Sequence, residues 1–393
     1  MPAPSPRSWF VLALLVVLHV LPSRALAQTF PALPFDAWVS ADDLTVVPTR
    51  EKLWPGLGIL RYGDRVRVVG CVPDCAAPDA WADLEPFGAI RLSALRPAPR
   101  PAAAAAVGPD ATFRYARVVG RGVVGRVEPN DTAAIVQRFD TGDEIVLAPD
   151  QSGVVEGFVQ RPDGSYLRAS DVRVFTPSEF SGWVDPPARF VFAHKPTTLT
   201  LADGTTRPVA MYERFAYLGQ GRGVIQVEGG TLRYQDVRTG RTRRRPPRVP
   251  AAARWVHVDL AQQVLTAYQG DQLVFATLIS AGKHQGTTQT GHFRVVRKLV
   301  HTTMKASASP DDSYFVEGVG NVQYFHGGVA FHMAYWHDRF GTPMSHGCVN
   351  LSPSDSRWLF AWSPGAVPDG WRGINPIAAR MDSLYVRIER APR

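Results

Sequence analysis

The chain has few cysteines, no metal-spaced motif and, past its first twenty residues, no long apolar run. Three cysteines in 393 residues are too few for a disulfide-built scaffold or a cysteine-rich metal centre. Neither His-Glu-x-x-His nor Cys-x-x-Cys occurs, which removes the common zinc spacings. Neither a metal nor a cofactor is expected. No histidine lies between Thr29 and Phe190, so Cys71 and Cys75 lack a histidine base near them in the sequence. After Val20 no stretch approaches the length of a transmembrane helix.

What is present begins with Arg7, an apolar run from Trp9 to Val20, and Ala25-Leu26-Ala27. That order describes an export signal at 1–27, cleaved before Gln28. The mature chain is then expected in the periplasm or cell wall. An exporting compartment permits Cys71 and Cys75 to pair and leaves Cys348 as the reactive thiol. With 33 prolines and 34 glycines set among short alternating apolar runs, the chain reads as mainly β.

The organisation follows composition. Residues 36–96 carry short strands and turns, among them Arg61-Tyr62-Gly63-Asp64-Arg65-Val66-Arg67-Val68-Val69, and resemble a bacterial SH3-type small β-barrel. Such a module binds cell-wall peptide or serves as a spacer. A Pro/Ala linker with an extended tendency follows at 97–109, then a second β-rich region at 110–237. An Arg/Pro-rich stretch at 238–253 holds six arginines between Arg238 and Arg248, a large part of the formal charge of +8. It reads as a solvated linker, or as a cationic contact with anionic envelope polymers or lipid head groups. Nucleic acid is not an expected partner, because the export signal removes the chain from it. Residues 254–393 form the C-terminal domain, and the linker-like run before them predicts that they fold alone. Alternating runs there predict an antiparallel meander in a β-sandwich or barrel, with a helix after Cys348.

The chemistry concentrates at 324–362. Cys348 follows Ser345-His346-Gly347, and His332 closes the apolar run Val329-Ala330-Phe331. A thiol becomes a nucleophile when a neighbouring base raises its thiolate fraction. Cys348 is thus the candidate nucleophile and His332 the candidate base, with His326, His337 and His346 as rivals. His337 and His326 read as peripheral. Tyr335 and Trp336 read as a substrate lid or as packing. Leu351-Ser352-Pro353-Ser354-Asp355 reads as a helix start, with Ser352 as N-cap and Pro353 as first helical residue.

Ser345-His346-Gly347-Cys348-Val349-Asn350, with a histidine thirteen residues before the serine, resembles the signature of the L,D-transpeptidases with YkuD-type catalytic domains. The resemblance reaches back to about Arg254 and includes Ser280-Ala281-Gly282 and Thr288-Gln289-Thr290-Gly291-His292-Phe293. Gln289 stands where that family usually has proline, and Met333 where glycine or serine is commoner. The resemblance implies a β-sandwich catalytic domain and an exported enzyme acting on peptidoglycan tetrapeptide stems. It also implies acyl transfer through Cys348, release of D-Ala and 3→3 cross-links. Ser345, His346, Gly347 and Asn350 fall in its substrate and oxyanion region, where backbone N–H groups around Gly347 and Cys348 would hold the oxyanion. Water as acceptor would make it an L,D-carboxypeptidase, and a protein lysine would make it an enzyme tethering proteins to the wall. Papain-like and NlpC/P60-type peptidases place cysteine before histidine, the reverse of the order here. A wall-binding protein that has lost activity is countered by the intact Cys348 and His332.

Overall fold

The computed structural model of the chain describes residues 29–108, 111–149, 157–306 and 313–390. The expected export signal at 1–27 lies outside them. The described chain is mainly β, and two packed sheets carry the C-terminal part. One has six strands in the order Trp183–Val184, Gln272–Leu278, Val264–Gln269, Arg254–Asp259, Tyr385–Glu389, Gly291–Arg294. The alternating pattern at 254–269 becomes a hairpin in continuous register from Arg254↔Gln269 to Asp259↔Val264. Its turn is closed by Gln263 at φ 52°. Val256, Val258, Leu265 and Phe275 point from this sheet toward Phe325, Phe331, Val349 and Leu351 of the other, with Leu359 beside them. Each is buried, and each contributes roughly 1.5–3 kcal/mol.

The second sheet is not confined to the C-terminal part. Its order runs Val172–Phe175, Arg114–Val118, Glu144–Leu147, Tyr314–His326, Arg297–Ala306, Gly373–Ile374, Gly58–Leu60, Leu44–Val46. Val329–Met333 and Val349–Leu351 branch from Tyr314–His326. Strands from both N-terminal regions therefore flank the C-terminal ones. Gly58 pairs with Ile374, and a Cβ at Gly58 would come within 2.8 Å of the Gly373 oxygen and the Trp371 ring. Trp371 and Ile374 are buried among Phe35, Val39, Leu60 and Leu95. The expectation that 254–393 fold alone does not fit this architecture, because that segment shares both a sheet and a core with what precedes it.

Among the described residues, 35–241 hold three β units rather than two. Residues 35–97 build a five-stranded sheet. Its neighbours Leu44–Val46 and Gly58–Leu60 belong to the large sheet instead, and no closed barrel forms among the described residues. The region read as one at 110–237 carries two separate cores. One gathers Ala116, Val118, Phe139, Ile145 and Leu167. The other gathers Val191, Leu199, Phe215, Ile225 and Leu232. Each unit ends in a short 3-10 turn and a strand: Leu92–Ala94 then Leu95–Pro97, Ala169–Asp171 then Val172–Phe175, Tyr234–Asp236 then Val237–Arg241. The sequence carries this as a repeat: Ile90-Arg91-Leu92-Ser93-Ala94-Leu95-Arg96, Leu167-Arg168-Ala169-Ser170-Asp171-Val172-Arg173 and Leu232-Arg233-Tyr234-Gln235-Asp236-Val237-Arg238. The opening aliphatic residue is buried every time.

Both stretches expected as linkers are docked. Within 97–109, Ala102–Val107 is a short helix, as an alanine run favours. Its terminal carbonyls are taken by the C-terminal part: Arg372 Nη2 donates to the Val107 oxygen (2.7 Å) and His301 Nε2 to the Gly108 oxygen (2.9 Å). Arg372 also pairs with buried Asp64 (2.9 Å). In the arginine stretch, Arg243 pairs with Asp259 (3.0 Å) and its N–H donates to the Tyr268 hydroxyl (2.9 Å). Arg245 lies 3.3 Å from Asp271, and Arg238 Nε donates to the Gly341 oxygen (2.8 Å). Carboxylates of the six-stranded sheet and its turns, and a carbonyl of the loop after Val329–Met333, hold these guanidinium groups, so the solvated-linker reading is corrected.

The helix after Cys348 spans Pro353–Trp362, with the Ser352 hydroxyl accepting the Asp355 N–H (3.1 Å). Its far end is closed by Lys298, which is 1% exposed. Lys298 Nζ donates to the Phe360 oxygen (2.8 Å), the Ser363 oxygen (3.1 Å) and Ser363 Oγ (2.8 Å). Burial pulls this ammonium down to about 7, while the carbonyl end of the helix favours a cation. Lys298→Met leaves those carbonyls unpaired and is expected to destabilise the fold by about 3 kcal/mol. Urea unfolding of the variant beside the parent measures it, and an unchanged midpoint would count against the capping role.

Candidate active site

Cys348 and His332 reach one cleft from neighbouring parallel strands. His332↔Asn350 are register partners between Val329–Met333 and Val349–Leu351, so the cysteine sits just before the second strand begins. A cavity of about 320 Å³ opens there, lined by Met304, Tyr314, His332, Trp336, His346 and Cys348 among others.

The turn that presents Cys348 is stapled by the loops at 280–282 and 287–288. Ser345 accepts the Gly347 N–H on its hydroxyl (3.0 Å) and donates to the Cys348 oxygen. Thr288 accepts the Gly282 N–H (2.9 Å) and donates to the Gly347 oxygen (2.6 Å). The Lys283 N–H donates to the Ser345 oxygen (2.8 Å), and the Ser280 and Asn350 backbones exchange two hydrogen bonds (3.0 Å each). Gly347 sits at φ 149°, where a Cβ would come within 2.8 Å of the Thr287 oxygen. No side chain fits there.

His332 is buried, and its Nδ1 lies 2.9 Å from the Met333 oxygen. A carbonyl only accepts, so Nδ1 carries the proton and Nε2 offers its lone pair. A backbone carbonyl therefore orients the ring, and the side chain at 333 has no part in it. Burial holds the imidazole at about 4. The Cys348 thiol is pushed above its ordinary range, also by burial, with the Ala330 N–H pulling the other way. The two shifts favour the neutral form of both groups.

The other expected residues divide. Trp336 lies over His332, with ring centroids 5.8 Å apart, and forms a wall of the cleft. His346 is exposed, stacks on Tyr314 at 5.0 Å and has Lys283 Nζ 3.3 Å from its Nε2. Tyr335 turns away: it is 1% exposed, stacks on Tyr115 at 4.0 Å and donates to the Glu317 oxygen (2.6 Å). It packs beneath the cleft and does not line it. His326 lies beside Phe293 at the far end of its strand. Cys71 and Cys75 are disulfide-bonded in the first unit, remote in the fold from this site.

Asn350 is 3% exposed, and its Nδ2 lies 3.1 Å from His337 Nε2 while Oδ1 has no partner. His337 Nδ1 accepts the Arg339 N–H (3.3 Å), which leaves the proton on Nε2. Turning the amide by 180° lets Oδ1 accept that proton. His337, read as peripheral, is thus the group behind Asn350. Sequence spacing carried no sign of it, since the contact spans a loop. Thr288 stood in the sequence only as the start of a family loop, with no role attached, and Tyr314 gave no signal at all.

Residues 253–373 match the family model of the L,D-transpeptidase catalytic domain, YkuD. That YkuD segment contains His332, Cys348 and the stapling loops. No curated protein matches the chain. Among solved structures, an L,D-transpeptidase (Yku) from Stackebrandtia nassauensis is 23% identical, over 37% of this chain and 60% of that one, with a TM-score of 0.26. The catalytic domain of the Enterococcus faecium L,D-transpeptidase is 26% identical, over 35% and 98%, with a TM-score of 0.26. An L,D-transpeptidase from Mycobacterium smegmatis is 17% identical, over 56% and 89%, with a TM-score of 0.28.

Proposed function

We propose that this protein is an exported peptidoglycan L,D-transpeptidase working through a Cys348 acyl-enzyme. The observation that carries the reading is the Cys348 thiol and the oriented His332 imidazole opening into one cleft within the YkuD segment. Cys348 Sγ attacks the amide carbonyl on the C-terminal side of the diamino acid in a tetrapeptide stem, and His332 Nε2 takes the thiol proton as the S–C bond forms. The Gly347 N–H is already held by Ser345, so the Cys348 N–H is assigned to the oxyanion. As the C–N bond breaks, His332 returns the proton to the leaving D-Ala amine. An amine of a second stem then attacks the thioester, His332 takes its proton, and the thiol is restored with a 3→3 cross-link formed. Arg241, Arg244 and Arg248 are exposed and face an anionic envelope surface in this reading.

Incubation with disaccharide-tetrapeptide and mass spectrometry of the products is the test. Dimers formed with loss of D-Ala support transpeptidation. Tripeptides alone mean that water is the acceptor. No change in the tetrapeptide would sink the enzymatic reading.

The pH dependence follows from the neutral pair. His332 lies at about 4, below its ordinary value, so it remains a free base until the pH falls through about 4. Acylation is therefore expected to be level from roughly pH 5 to 8, with no step near 6.5. His332→Ala slows it by ~10² to 10⁴ at every pH in that window. A midpoint near 6.5 in the parent's initial rates would contradict the buried-base assignment.

A further inference from the structure

The loop at 334–344 walls the cleft, and two accessory units grip it. From the second unit, Arg117 Nη2 donates to the Trp336 oxygen (3.0 Å), and Tyr115 stacks on Tyr335. From the third unit and its lead-in, Tyr212 and Ser178 both donate to Asp338 Oδ1 (2.7 and 2.6 Å), and the Phe340 N–H donates to the Tyr212 hydroxyl (3.3 Å). Arg238 holds the Gly341 oxygen. At Gly341, with φ 93°, a Cβ would come within 2.6 Å of His194. The C-terminal part anchors the loop's ends through Ala334 N–H to Leu351 and Gly341 N–H to Ile279, and its middle through Ser280 Oγ to the Arg339 oxygen. The Trp336 carbonyl is the point where the second unit reaches the residue stacked on His332.

We propose that Arg117 is a positioning residue for the reaction: by holding the Trp336 carbonyl it keeps the indole over His332 and so keeps the imidazole aimed at Cys348. The guanidinium suits this because it forks. Nε and Nη2 engage Glu144 Oε1, while Nη2 also reaches the Trp336 oxygen. Glu144 is 5% exposed, so the pair is fixed from behind. A lysine would keep a charge beside Glu144 but, as a point cation, would not span to the carbonyl as well. Near-attack geometry is sensitive, and a displacement of about 1 Å costs up to ~10² in rate. The accessory units are then working parts of the active site. This inference rests on the proposed Cys348–His332 pairing and not on the identity of the substrate.

The experiment uses the full chain and iodoacetamide, a small neutral electrophile, with the alkylation rate of Cys348 read by mass spectrometry at pH 7. Arg117→Lys, Trp336→Ala and their combination are compared with the parent, each with its melting temperature. Arg117→Lys is expected to melt like the parent yet alkylate roughly tenfold more slowly, and to add nothing in the Trp336→Ala background. A parental or faster rate in Arg117→Lys overturns the proposal, as do effects that multiply in the double variant. Arg117→Met removes every donor to the Trp336 carbonyl: it must be slower still in the parental background and neutral in the Trp336→Ala one. Failure of the parent to release D-Ala from tetrapeptide would instead strike the proposed substrate and leave the alkylation result standing.

Discussion

Replacing Cys348 with alanine is expected to abolish D-Ala release while leaving the fold intact. Removing a nucleophile outright costs more than about 10³-fold when the rest of the site has no substitute. None stands here. Cys71 and Cys75 are joined to each other, and Ser345 Oγ is committed to the Gly347 N–H and the Cys348 oxygen. The turn itself is held by Ser345, Thr288 and the backbone of 281–283, none of which depends on the sulfur. The melting temperature should therefore hold to within the small change expected for a small, partly buried side chain. Turnover by the Cys348→Ala protein at even a tenth of the parental rate would falsify the acyl-enzyme route.

Residues 254–393 expressed alone are expected not to fold. The segment loses the Glu144–Leu147 neighbour of its long central strand and the Gly58–Leu60 neighbour of Gly373–Ile374. It uncovers Trp371, Phe340 and Tyr335, each no more than 1% exposed in the full chain. Asp355 also loses the Gly182 N–H (2.7 Å). Three large aromatics at roughly 1.5–3 kcal/mol each, with two broken strand pairings, approach the whole stability of a typical domain, about 5–15 kcal/mol. Circular dichroism and thermal melting decide it. A cooperative transition near that of the full chain would show the segment to be self-sufficient and would return the accessory units to the role of spacers.

How much could be read beforehand depended on how local the cause was. The helix start at Ser352-Pro353 is settled by a hydroxyl, a ring and a carboxylate within four residues, and it was legible. That His332 and Cys348 come to line one cleft was legible too, because the strand alternation and the Ser-His-Gly turn lie within twenty residues. The orienting group of His332 was not, since the substituted Met333 side chain drew attention to itself and the backbone carbonyl does the work. Docking of the Ala and Arg stretches was hidden for another reason. Composition reports what a segment would do in water, and here Arg372, His301, Asp259 and Asp271 supply partners from distant positions. The threefold Ile/Leu-Arg repeat was present in the letters but short and degenerate. Its meaning emerges only when the buried aliphatic and the 3-10 turn are seen to recur.

The pairing of Gly58 with Ile374, and of Asp64 with Arg372 across 308 positions, also sets an order in time. The first unit cannot complete its core until residues far beyond its own last strand, Leu95–Pro97, have appeared, because Trp371 and Ile374 belong to it. A chain made from the N-terminus must therefore carry an unfinished sheet edge through most of its synthesis. Contacts of such separation slow folding and leave open strands exposed to other chains meanwhile.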